Sequence, residues 1–173
     1  MIYTIRHATE ADVPALLQLA EAARQIMRQS GNPTQWINGY PKAEDFLRDI
    51  DRQGSFVVLR GEEPVGTFAF LSGPDPTYAK IYEGEWLDDV QPYHVVHRIA
   101  SLPEAHGVMR VLLDYCFSHS HNIRIDTHRD NTIMRHLLQR FGFTYCGIIF
   151  LANGQERLAY QRLNLKGYPE QGY

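Results

Sequence analysis

Three side chains able to move protons stand close together in this chain: Glu85 in the polar run Tyr82-Glu-Gly-Glu-Trp86, and Tyr93 and His97 in the run Tyr93-His-Val-Val-His-Arg-Ile-Ala-Ser101. An imidazole titrates near neutral pH, which suits His97 to the role of general base. Tyr93 falls on the same strand face as His97 and can relay or donate a proton; Glu85 can hold an amine or act through water. The plainer readings are a hydrogen-bonded structural histidine, a packing tyrosine and a solvated loop carboxylate. A different chemistry follows in the turn Glu104-Ala105-His106-Gly107-Val108-Met109. First-turn N–H groups of a helix lack intrahelical partners and the helix dipole adds partial positive charge, so a pyrophosphate is favoured there.

These residues need a strand, a turn and a helix to hold them. Residues 93–101 alternate Tyr93, Val95, His97, Ile99 and Ser101 on one face with His94, Val96, Arg98 and Ala100 on the other, the period of a half-buried strand. Pro103 ends it, and from Gly107 the residues Val108, Val111, Leu112, Tyr115 and Cys116 make one helical stripe. Upstream, Ile2 to Arg6 reads as a strand, and Thr9-Glu-Ala-Asp12 has the form of a capping box for a helix with Val13, Leu16, Leu17, Ala20, Ala23 and Met27 inward. A short helix follows Pro41 and ends near Asp51; Phe56 to Arg60 and Val65 to Leu71 form a hairpin. Ser72 to Pro92 reads mainly as loop, with a helical turn near Trp86. Asn122 to Asp126 is a strand, Asp130 or Asn131 opens a helix that stops at Gly142, and Phe143 to Leu151 pairs with Gln155 to Leu163 around Asn153-Gly154. The alternation suits an α/β (α+β) fold, a mixed sheet with helices on both faces.

Composition bounds the rest. At 173 residues and 44% hydrophobic content, residues 1–166 suit a single domain, with a mobile tail at 167–173. A net charge of -3 argues against a nucleic-acid partner, and no apolar run is long enough to span a membrane. The N-terminus lacks signal-peptide form and Cys116 and Cys146 lie in apolar patterns, which together suggest a cytoplasmic protein with reduced thiols. The eight histidines do not build a metal site: His94 and His97 face opposite ways on their strand, and His119 and His121 straddle a helix end. Asp126 and His128 share a strand face without a third ligand, and no Gly-x-Ser-x-Gly elbow is present.

The turn at 104–109 resembles the Gln/Arg-x-x-Gly-x-Gly/Ala segment of the GCN5-related N-acetyltransferase (GNAT) superfamily, and Asn131-Thr-Ile-Met-Arg-His-Leu-Leu-Gln-Arg-Phe-Gly142-Phe143 resembles its Asn-led helix closing in Gly-Phe. Glu104 and Met109 depart from the pattern, Gly107 keeps it, and Leu138 stands where many members place a tyrosine general acid. The resemblance implies a mostly antiparallel sheet of about seven strands and N-acetyl transfer from acetyl-CoA, without a metal, to a primary amine of a small molecule, less readily of a protein, by direct attack in a ternary complex. It assigns Ile99, Ala100 and Ser101 to acyl and pantetheine contacts, Glu104, Ala105, His106, Gly107, Val108, Met109 and Arg110 to the pyrophosphate turn, and Asn131 to a cofactor hydrogen bond. It also places the connector holding Trp36 and Tyr40 beside the acceptor, although two large aromatics there can equally plug the core edge. Leu138 and the altered turn leave a second reading, a non-catalytic acyl-CoA-binding or sensor module. Open sheet edges are compatible with a homodimer.

Overall fold

The computed structural model describes residues 2–164. Seven strands form one sheet in the order β1-β2-β3-β4-β5-β7-β6. They are β1 Thr4–His7, β2 Ser55–Arg60, β3 Glu63–Ser72, β4 His94–Ser101, β5 Asn122–Thr127, β6 Thr144–Phe150 and β7 Glu156–Leu163. Four α-helices cover it: α1 Val13–Gln29, α2 Ala43–Asp51, α3 Val108–His119 and α4 Thr132–Arg140. Short loops make the hairpins β2–β3 and β6–β7 antiparallel, the second closed around Gly154 at φ 86°. Only β4 and β5 run parallel, because α3 carries the chain from one to the other.

The helix ends follow from local chemistry. The Thr9 N–H donates to Asp12 Oδ2 at 2.8 Å, and a single 3₁₀ turn at Glu10–Asp12 leads into α1. Lys42 N–H donates to Asp45 Oδ2 at 2.7 Å to open α2; Pro41 lies just before this cap rather than within the first turn. Asn131 caps α4 by accepting the Met134 N–H at 3.0 Å, and Gly142, at φ 81°, lets Phe143 N–H return to the Leu138 carbonyl at 2.9 Å.

Each face of the sheet has its own core. On one, Val57 and Ala100 pack against Leu16, Leu19, Ala20 and Ala23 of α1 and Phe46 of α2. On the other, Phe56, Val58, Phe68 and Val96 meet Val108, Leu112 and Leu113 of α3 and Leu138 of α4. Leu16, Leu112 and Leu138 have no exposed surface, and burial of such a side chain contributes about 1.5–3 kcal/mol. Cys116 and Cys146 are buried free thiols.

Two local expectations change. The helical turn between β3 and β4 forms at Pro76–Tyr78, capped by Asp75, and Trp86 is instead a buried ring against Tyr78 in a non-helical, largely exposed segment. The alternation along β4 also breaks: Thr67 and Ala69, two apart on β3, pair with Ala100 and His97, three apart on β4. Arg98 absorbs the extra residue at φ 50°. Beyond the bulge the face of His97 passes to Ala100, and Ile99 turns toward the α3 side. The proposed boundary at 166 and the tail 167–173 lie outside the described residues.

Candidate active site

The bulge makes β4 serve two cavities. His97 and Arg98 line one of about 470 Å³, with Tyr40, Asp75, Asp126 and Arg157 among its other walls. Ile99, Ala100 and Ser101 line a smaller cleft of about 140 Å³, with Val108, Met109 and Asn131. The cleft exists because β4 and β5 pair only at His94↔Ile123 and Val95↔Arg124. Past that point the two strands part, leaving the β4 edge open.

A left-handed conformation costs a non-glycine residue on the order of 1–2 kcal/mol, so something must hold Arg98. Asp49 on α2, itself 2% exposed, does so: Arg98 Nε and Nη2 donate to its two carboxylate oxygens, each at 2.6 Å. Arg98 Nη1 donates to the Tyr40 hydroxyl at 2.9 Å. Burial works against the guanidinium charge, but the bonds to Asp49 and Tyr40 outweigh it and raise the Arg98 pKa. The bulge, the second helix and the aromatic connector are thereby tied together.

His97 stands between two carboxylates. Nε2 lies 3.1 Å from Asp75 Oδ2, and Nδ1 lies 3.9 Å from Asp126 Oδ2. A carboxylate only accepts, so the Nε2 proton is assigned from this partner and Nδ1 of the neutral ring holds the lone pair. Asp75 also accepts from the Thr77 N–H at 2.9 Å and hydroxyl at 2.6 Å. Burial pushes the Asp75 carboxyl up, yet the bonds from His97 and Thr77 prevail and hold it well below the usual carboxylate range. Tyr78 donates to Asp126 Oδ2 at 2.6 Å; its burial and this anion push the phenol well above its ordinary value. Two fixed carboxylates can therefore stabilise an imidazolium at His97 or receive an ammonium group.

The residues of the turn before α3 and of the cleft beside it divide between open surface and apolar wall. Gly107, at φ 83°, precedes the first turn of α3 and has nothing within 4 Å of where a Cβ would stand. Val108 and Met109, 3% and 9% exposed, present apolar wall rather than open backbone. Glu104, His106 and Arg110 are exposed and line neither cavity, and the Arg110 guanidinium lies 5.3 Å over the Phe141 ring. Ala105 is a buried core residue. Asn131 is committed at both ends of its amide, since its Nδ2 donates to Gln35 Oε1 at 2.9 Å while its Oδ1 caps α4.

The other residues singled out in the sequence scatter. Tyr93 accepts the Asp75 N–H at 2.8 Å through its hydroxyl, so it positions that loop rather than lining the cavity of His97. Glu85 is exposed and lines neither cavity. Trp36 packs on the core beneath α1, its ring centroid 6.2 Å from that of Tyr40, whereas Tyr40 lines the cavity. Leu138, in the family's tyrosine position, is sealed in the core. Asp75, Asp126, Tyr78 and the Arg98–Asp49 pair were missed as site residues. Parallel register offered a route to Asp126: His94 pairs with Ile123, and three residues on in each strand stand His97 and Asp126.

Residues 20–143 match the acetyltransferase (GNAT) family model. A GNAT-family acetyltransferase from Streptococcus agalactiae 2603 is 31% identical over 93% of this chain and 95% of that one, with a TM-score of 0.84. A ribosomal-protein-alanine N-acetyltransferase from Brucella melitensis (20% identity, 92% and 99% covered, TM-score 0.58) and the NatC complex bound to Gag peptide and CoA (12%, 94% and 99%, TM-score 0.57) share the fold. The comparison with curated proteins returned no match. The open seven-stranded sheet, the parting of β4 from β5 and these matches lead to one conclusion: the chain belongs to the GNAT family of acetyltransferases, acyltransferases that use acetyl-CoA.

Proposed function

We propose that this chain transfers an acetyl group directly from acetyl-CoA to a primary amine of a small molecule, with both substrates bound at once. The observation that carries the reading is the division of β4 at its bulge: His97 and Arg98 face a cavity lined by charged side chains, and the next three residues line an apolar cleft. An amine in the first cavity is then one residue's length from a thioester in the second. When bound, acetyl-CoA supplies the activated acyl group. The N–H groups of Ile99 to Ser101 that do not pair with β3 are placed to polarise its carbonyl.

His97 is the base in this reading. Its Nδ1 takes a proton from the acceptor, and Asp75 and Asp126 stabilise the cation that results. Tyr40 accepts from Arg98, which leaves its own hydroxyl proton free for the departing thiolate. The reading is tested by thiol release from acetyl-CoA across a panel of small amines and peptides. His97→Gln should lower kcat by about 100-fold with acetyl-CoA affinity retained, and should flatten the acidic limb of the pH–rate profile. Acetyl-CoA binding without turnover of any amine, or turnover of peptides alone, would refute it.

A further inference from the structure

The acceptor cavity holds a positive charge that acetyl transfer to a simple amine does not need. Arg157 on β7 is 4% exposed and lines the cavity wall. It donates to the carbonyls of Glu156 at 2.9 Å and Gln35 at 3.1 Å and to Gln155 Oε1 at 3.2 Å, all neutral acceptors. The other well-buried arginines have anions: Arg98 has Asp49, Arg124 has Asp89 and Arg24 has Glu21. Among the described residues Arg157 has no such carboxylate, the neighbouring Glu156 being taken by Arg129 at 2.8 Å. A guanidinium keeps its proton under physiological conditions, so this charge is desolvated with no carboxylate in direct contact, Asp126 acting on it only through space. Burial pulls its pKa down and outweighs the opposing pull of the Asp126 carboxylate and Tyr40.

The register sets Arg157 against the carboxylates. Asp126 on β5 pairs with Ala159 on β7, and Arg157 lies two residues along the same face of β7. Such diagonal neighbours stand about 7–8 Å apart. Asp75, Asp126 and His97 thus form an anionic wall on one side of the cavity, and Arg157 forms a cationic one on the other. Arg98 does not compete, because Asp49 already neutralises it. A ligand matching both walls carries an ammonium and a carboxylate a few bonds apart.

We propose that the acceptor is a free amino acid, held with its ammonium toward Asp126 and His97 and its carboxylate on Arg157. This rests on the acetyl-transfer reading above. The amine nitrogen forms a bond to the thioester carbonyl carbon and the carbon–sulfur bond breaks. Of the two protons the ammonium gives up, His97 takes one and the thiolate receives the equivalent of the other. A peptide N-terminus lacks the α-carboxylate that Arg157 would hold, because that group has become an amide.

The test compares free amino acids with their decarboxylated amines and their carboxamides, by thiol release from acetyl-CoA. At least one amino acid should exceed its amine and its amide by roughly 10- to 100-fold in kcat/KM, the range for a hydrogen-bonded charge. In Arg157→Gln that ratio should fall toward one, chiefly through KM, and Arg157→Lys should recover part of it. Melting curves on both variants separate this from misfolding. Equal use of acid, amine and amide by the parent enzyme overturns the proposal without touching the transfer reading. So does an equal loss on all three in Arg157→Gln. Failure to acetylate any amine while acetyl-CoA binds overturns both.

Discussion

Removing Asp49 should unfold the logic of the site before it touches the chemistry. In Asp49→Ala, the Arg98 guanidinium, whose side chain is 14% exposed, loses two bonds of 2.6 Å and keeps only the Tyr40 hydroxyl. Breaking a buried pair by deleting one partner costs about 3–5 kcal/mol. For a chain of this size each kcal/mol moves the melting temperature by about 2–4 °C, so a drop of roughly 6–20 °C is expected by calorimetry or circular dichroism. The strain at the bulge adds to the effect, since Asp49 is what holds Arg98 in its left-handed conformation. The double variant Asp49→Leu with Arg98→Met removes both charges and should melt above the single variant, because an apolar replacement leaves no orphan cation. It should still lose acetyl transfer, having lost the tether to Tyr40. A single variant melting within about 2 °C of the parent, or a double variant no more stable than the single, would refute the reasoning.

Three further outcomes follow from the same contacts. Asp75→Asn should destabilise the protein at neutral pH, and the deficit should shrink as pH falls below about 4, where the unfolded carboxyl protonates and the depressed native one begins to lose its advantage. Urea titrations across that range check this, and a gap independent of pH would contradict it. Asn131→Ala should cost about 1 kcal/mol through the lost cap of α4 and also weaken acetyl-CoA binding; a thermal shift with unaltered affinity would confine Asn131 to the helix. Gly84→Ala would place a Cβ 1.9 Å from the Cys146 carbonyl oxygen, so the Tyr82–Ile148 bridge must open and the protein should lose at least about 1–3 kcal/mol, read as a lower melting temperature.

The elements and their order were legible because they rest on local signals: the capping box at Thr9, the stripe from Val108, the Asn-Gly turn at 154. Each survives in the structure within a residue or two of its expected bounds. The bulge was not legible. Strand periodicity is a local property, whereas the phase shift at Arg98 is stabilised by Asp49, which lies 49 residues earlier in the chain. The same distinction divides the site. His97 announced itself through its residue type, but the carboxylates beside it come from a Pro-rich turn and from the neighbouring strand, and only the sheet brings them together. Glu85 shows the converse, since residue type suggested a role that its exposed placement does not supply, and Trp36 takes the core-plugging reading of the two its connector allowed.

The two residue pairs that join β4 to β5 have a mechanical consequence. Strands β1 to β4 form one antiparallel plate, and β5, β7 and β6 form another, so the backbone seam between the plates is the shortest in the sheet. Side chains cross it at His97 and Asp126, and α3 spans it as a covalent strap. A molecule seated in the wedge fastens the plates together where hydrogen bonds do not. Amide exchange along the free edge of β4 and β5 is then the natural gauge of occupancy, slow when the wedge is filled and fast when the plates can breathe.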